Sequence, residues 1–216
     1  VGLSSLLFQP YSSWYGQAYN KIDPWEGSRS PFWSYITHWG LFLFVIFSWM
    51  ARETITWMAS TPVSALNRLR PFRRLIEAGL VVLLALVIAL LVTKVGIAWL
   101  VLPAAAWAGV LLLRPGMPDA KRAVLFMVGT ALVLTLFVEV AVLRGDIGRM
   151  NTVFKFYLQA WTLFTISAGA GLFWLLTSFQ AVPQPRWRPV WEFALIVLVA
   201  CAALFPLMGG RGKIVD

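Results

Sequence analysis

Long apolar runs alternate with short polar segments along the whole chain. Six of these runs are close to the ~20 residues that a helix needs to cross a bilayer. They cover residues 34–50, 75–93, 97–113, 123–143, 151–179 and 190–207. The pattern therefore predicts an all-α, polytopic transmembrane helical bundle of about six spans.

The first 33 residues differ from the runs because they mix aromatic and polar side chains with Pro and Gly. Aromatic side chains with a polar edge collect at the membrane–water interface. We expect residues 1–33 to form an interfacial loop on the outer face, with a short helix within residues 3–20. Residues 34–208 then form the transmembrane domain, and residues 209–216 form an outer-face tail.

The composition supports an integral membrane protein. Of the 216 residues, 60% are hydrophobic and 12% are charged, whereas soluble domains carry about 25% charged residues. The net charge is +9, but the basic residues lie between apolar runs, which is typical of membrane topology and not of nucleic-acid binding. One Cys and one His exclude an intrachain disulfide and a Cys/His metal cluster.

Lys and Arg are distributed unevenly between the two predicted sides of the membrane. Loops 51–74, 114–122 and 180–189 fall on one side and carry five, three and two basic residues, ten in all. The other side carries eight, or five when Arg144, Arg149 and Lys155 of the charged stretch at residues 139–161 are left out. The positive-inside rule places the more basic side in the cytoplasm. It leaves the 1–33 loop and the polar segment at 144–151 together on the outer face, and we predict a multi-pass protein of the plasma (cytoplasmic) membrane.

A stretch that carries several charged and amide side chains between two long apolar runs covers residues 139–161. Charge inside or beside a bilayer is costly, so it marks a candidate site. On a helix from about residue 151, spacings of four, four and three residues put one polar stripe on a single face. The stripe consists of Asn151, Lys155, Gln159 and Thr162. Similar depth in antiparallel neighbours predicts an ion pair between Glu139 and Lys155, with Arg149 or Arg144 as alternative partners of Glu139.

The run Gly145-Asp-Ile-Gly-Arg-Met-Asn-Thr-Val-Phe-Lys-Phe-Tyr-Leu-Gln-Ala-Trp161 resembles the signature of the YYY-type family. These are highly hydrophobic multi-pass membrane proteins of uncharacterised function. His38-Trp39-Gly40 and Phe205-Pro206-Leu207 are weaker landmarks of the same family. Family members are longer, so we interpret the chain as a fragment of a larger membrane protein, whose other parts would be its partners.

The family is similar in outline to C-type lipid-dependent membrane glycosyltransferases. This likeness implies transfer of a sugar from a polyprenyl-phosphate carrier at the outer face, with an acidic residue as base or as ligand of a divalent metal ion. The candidate catalytic residues are Glu139 and Asp146. The candidate residues for binding phosphate or substrate are Arg144, Arg149, Asn151, Lys155, Tyr157 and Gln159.

Other interpretations of the same residues remain open. Glu139 and Lys155 could form an ion or proton relay in a transporter, or an ion pair that only locks two helices together. Asp146 could cap the helix that follows it. Asp23, Glu26 and His38 are lesser candidates for a site. Membrane lipids are the expected partners in every case, and nucleic acid is not.

Overall fold

The computed structural model describes residues 2–14, 21–144, 149–180 and 186–215. Within these residues the chain forms seven α-helices, one 3-10 helix and two short strands. In chain order they are α1 (Gly2–Trp14), β1 (Lys21–Pro24), α2 (Phe32–Ser60), a 3-10 helix (Val63–Phe72), α3 (Arg73–Val92), α4 (Ala98–Leu112), α5 (Asp119–Val140), β2 (Ala141–Arg144), α6 (Arg149–Gln180) and α7 (Arg188–Val215). The predicted all-α bundle is confirmed, because α2 to α7 coincide with the six apolar runs.

Five of the described helices, all except α1 and α4, are long and apolar enough to cross a membrane. The exception among the six runs is α4, an apolar helix of 15 residues. At 1.5 Å per residue it is ~22 Å long, shorter than the ~30 Å hydrocarbon core. A tight reversal separates it from α3, and Lys94 adopts a left-handed φ of 65° there.

The packed core of the bundle lies between α2, α4, α5 and α6. Trp39, Ile46 and Trp49 of α2 are fully buried in it, together with apolar side chains from the other three helices. Helix α6 approaches α2 closely at Gly171, where a Cβ atom would lie 3.3 Å from the Cβ of Trp49. By contrast, α3 has no buried residue. Helix α7 adds Trp191 to the core, whereas α3 presents an apolar surface.

Helix α5 ends earlier than its apolar run predicts. The fourth span was expected to reach residue 143, but α5 stops at Val140 and Ala141–Arg144 form strand β2. This strand pairs antiparallel with β1, with Ile22 opposite Leu143. The strand forms because pairing between distant segments of the chain overrides the continuous apolar pattern. Residues 1–33, which were expected to form a loop with a short helix, also contribute strand β1.

Helix α7 is longer than its predicted span. It continues to Val215, so residues 209–215 of the predicted tail are helical. The strand pairing and the hydrogen bond from Arg149 to Ser28 bring the 21–31 segment and the start of α6 to one end of the bundle. Which side of the membrane this end faces remains a prediction.

Candidate functional site

A buried carboxylate lies at the centre of this end of the bundle. Glu139 is in the last turn of α5 and its side chain is 1% exposed. One carboxylate oxygen accepts a hydrogen bond from Nη2 of Arg149 at 2.6 Å, and the other accepts from the backbone N–H of Ser30 at 2.9 Å. A buried charge is tolerated only when it is paired and hydrogen-bonded in this way.

The guanidinium of Arg149 donates from all three of its nitrogens. Nη2 binds Glu139, Nε donates to the carbonyl of Val138 at 3.2 Å, and Nη1 donates to the carbonyl of Ser28 at 2.6 Å. The group also lies 5.2 Å from the ring centroid of Trp25. Its side chain is only 16% exposed. Arg149 is therefore largely withdrawn from water and belongs to the packed end of the bundle.

Residues 25–30 form a folded segment against the ends of α5 and α6, which we call the 25–30 clasp. The backbone N–H of Trp25 donates to Val140, and its indole donates to the carbonyl of Ser28 at 2.9 Å. Arg29 donates to the backbone carbonyls of Glu139 and Trp25. The clasp supplies the N–H of Ser30 and the carbonyl of Ser28 that hydrogen-bond to the Glu139–Arg149 pair, and the Trp25 ring beside the guanidinium.

The predicted ion pair between Glu139 and Lys155 is not the one that forms. Among the ion pairs between described residues, Glu139 pairs with Arg149, which had been the alternative. The reason is the earlier end of α5. Glu139 is one residue from that end, whereas Lys155 is six residues, or ~9 Å, into α6. Glu139 is therefore level with the first residue of α6.

The predicted polar stripe of α6 lies on a different face from the ion pair. Lys155, Gln159 and Thr162 are exposed, and Asn151 is half-buried. Tyr157 points toward α2, where its ring centroid lies 5.1 Å from Trp39 and 5.7 Å from His38. Tyr157 also lies within electrostatic reach of Glu139 and Arg149. The described candidates therefore divide into an inward group, formed by the ion pair and Tyr157, and an outward stripe.

Two of the candidates cannot be placed in this geometry. Asp146 and the side chain of Arg144 lie outside the described residues, so their roles remain predictions. The minor candidates on the same end include Glu26, which is exposed. Within the described ranges no three His, Cys, Asp or Glu side chains come close enough to hold a metal ion.

A second polar cluster, missed in the sequence, lies at the opposite end of the bundle. Glu53 of α2 is 8% exposed and pairs with Lys121 and Arg114. One signal could have found it: Glu53 is an acidic residue that continues the apolar periodicity of its helix. Residues 114–122 were interpreted only as a loop that sets topology, although they supply both cations.

Buried, paired charges at both ends of a bundle of long apolar helices define an integral, multi-pass α-helical membrane protein. Residues 1–164 match the family described as uncharacterized membrane protein (DUF2298), and the chain belongs to that family. No curated protein and no solved structure shows significant similarity to the chain. The family match therefore supports the predicted uncharacterised multi-pass family and adds no activity to it.

Proposed function

We propose that the chain is part of a membrane glycosyltransferase that uses a polyprenyl-phosphate-linked sugar at the outer membrane face. The observation that carries the proposal is the exposed polar stripe of α6, in which Lys155 and Gln159 lie four residues apart on the outside of the bundle. Ionisable side chains in or beside a membrane-spanning helix mark a candidate functional site.

The surroundings of the stripe suit a lipid-linked phosphate. Phe154, Leu158 and Trp161 are exposed beside it on the same helix. An isoprenoid chain can pack on these apolar side chains while its phosphate meets the ammonium of Lys155. Asn151 and Gln159 carry amides that can donate to phosphate or sugar oxygens. One helix face thus offers contacts for both parts of the carrier.

The Glu139–Arg149 pair has a supporting role in this proposal. All three donor nitrogens of Arg149 are already bonded to protein acceptors, so we no longer assign it to the phosphate. Because Arg149 is the first residue of α6, the pair fixes where that helix begins relative to α5 and the 25–30 clasp. It therefore acts as a positioning element for the stripe, and Lys155 takes over the contact with phosphate.

Binding of a short-chain polyprenyl monophosphate to the purified protein in detergent tests this proposal. We expect Lys155→Gln to weaken binding about tenfold or more, since a charge-assisted hydrogen bond contributes ~1.5–3 kcal/mol. Lys213→Gln is the matched control, because it removes the same charge from an exposed position on α7. Equal affinity of both variants and the native protein would refute the phosphate contact.

Turnover of a polyprenyl-phosphate-linked sugar by the intact protein tests the enzymatic part separately. Lys155→Gln should lower the rate of sugar consumption, while Lys213→Gln should leave it unchanged. If the carrier binds at Lys155 but no sugar is consumed under any condition, the stripe is a lipid-binding surface and the glycosyltransferase assignment is wrong.

A further inference from the structure

The cluster at the far end of the bundle, which no part of the proposed function uses, contains more positive than negative charge. One carboxylate oxygen of Glu53 accepts a hydrogen bond from the ammonium of Lys121. The other carboxylate oxygen of Glu53 lies 3.6 Å from Nη1 of Arg114. Arg122 is adjacent and lies 3.9 Å from Asp119, which is fully exposed. Three cations therefore share two carboxylates, and one of those carboxylates is solvated.

Tryptophan rings hold the cations of this cluster in place. Arg114 lies 5.7 Å from the ring centroid of Trp57, and Lys121 lies 5.5 Å from that of Trp174. Such cation–π contacts fix the direction of a long side chain without neutralising its charge. The excess positive charge is consequently preorganised on the loop after α4 and the first turn of α5, against rings from α2 and α6.

Two donors of the cluster lack acceptors. The Nε–H groups of Arg114 and Arg122 are buried and have no hydrogen-bond partner among the described residues. An unpaired buried donor on a charged group is unfavourable, and an added acceptor removes that cost. The side chain of Arg122 is 43% exposed, so it can turn its fork toward an anion at the surface. The oxygens of a phosphate match the geometry of a guanidinium fork.

An apolar surface begins directly beside these cations. Val110 near the end of α4 and Leu113 just after it are exposed, four residues and one residue before Arg114 in the chain. An exposed apolar surface on α4 therefore adjoins the cations, and an acyl chain can pack on it. Free phosphate would use the cations alone, whereas a lipid uses both features.

We propose that Arg114, Lys121 and Arg122 form a binding site for the phosphate of an anionic membrane lipid, whose acyl chain lies along α4. Glu53 holds two of the three cations in position, and the charge that remains attracts the ligand. The site is independent of the α6 stripe, because it lies at the other end of the bundle.

Titration of the detergent-purified full chain with short-chain phosphatidylglycerol, short-chain phosphatidylcholine and inorganic phosphate tests the site. We expect phosphatidylglycerol to bind most tightly, and Arg122→Gln to weaken its binding about tenfold by removing a charged donor. Arg188→Gln is the control, since Arg188 pairs with Glu192 near the same end and lies outside the cluster. Equal loss in both variants would overturn the proposal.

The remaining outcomes are also decisive. Glu53→Gln frees two cations from their carboxylate but raises the net positive charge of the cluster, so it should weaken phosphatidylglycerol binding less than Arg122→Gln does. Weaker binding in Glu53→Gln than in Arg122→Gln would contradict a site built on excess positive charge. Inorganic phosphate that binds as tightly as the lipid would overturn the lipid as its ligand, and equal binding of phosphatidylcholine would overturn the role of net charge.

Discussion

Replacing Arg149 with lysine keeps the positive charge but removes the planar fork that joins α5, α6 and the 25–30 clasp. A lysine has one terminal nitrogen, so it can keep the contact with Glu139 and must release at least one of the two carbonyls, Val138 and Ser28. Hydrogen bonds that involve a charged group contribute ~1.5–3 kcal/mol each. Since Ser28 is exposed and its carbonyl can bind water, we expect a loss of about 2–3 kcal/mol.

Arg149→Ala should be more damaging, because it leaves the carboxylate of Glu139 buried without a cation. Breaking a buried pair in this way costs about 3–5 kcal/mol. Thermal unfolding in detergent at a fixed scan rate measures both variants. For a chain of this size each kcal/mol corresponds to roughly 2–4 °C in Tm, so we expect decreases of ~4–12 °C for lysine and ~6–20 °C for alanine.

Arg188→Lys is the matched control for this experiment. Arg188 makes one side-chain ion pair, from Nε to Glu192 on the same helix, and such pairs contribute only ~0.2–0.5 kcal/mol. Its Tm should change by less than ~2 °C. If Arg149→Lys melts with the native protein, the three-way fork is not what holds this end together. A stable Arg149→Lys protein that loses carrier binding would restore Arg149 as a phosphate ligand.

Two further predictions concern topology and the core. In a chain without its native cysteine, a cysteine at position 148 should react with an impermeant thiol reagent added outside the cell. A cysteine at Ala120 should not react. The reverse labelling pattern would place the α6 stripe in the cytoplasm. In the core, the hydroxyl of Thr135 donates to the carbonyl of Leu132 and lies 3.0 Å from the hydroxyl of Tyr35, which therefore donates to it. Thr135→Val should lower Tm more than Tyr35→Phe, because only the valine variant leaves a buried hydroxyl donor unpaired, at ~1–3 kcal/mol; equal effects would contradict this direction of donation.

The helices could be predicted because apolar length is a local property of the sequence. Each of the six runs carries enough hydrophobic residues to determine its own helix, and the turn at Lys94 follows from its short polar spacer. Helix ends were less accurate. The residues after Glu139 are as apolar as those before it, so nothing local shows that α5 ends at Val140 and that a strand begins.

The partner of Glu139 could not be predicted from local sequence either. Its identity depends on where α5 ends and on the pairing of β1 with β2, which joins residues far apart in the chain. The role of Ser30 as a donor to Glu139 depends on the same pairing. Spacing within one helix correctly put Lys155 and Gln159 on one face, but it could not tell which face would pack inward.

The pairing of β1 with β2 has a consequence for the order in which the protein is assembled. Strand β1 leaves the ribosome before α2, yet its partner follows four more helical segments. Arg29 likewise waits for an acceptor 110 residues further along the chain. Contacts of such long sequence separation form late. During synthesis the polar segment ahead of α2 therefore stays unpaired until α5 has been inserted, and the closure of this end of the bundle marks the completed insertion of α2 to α5.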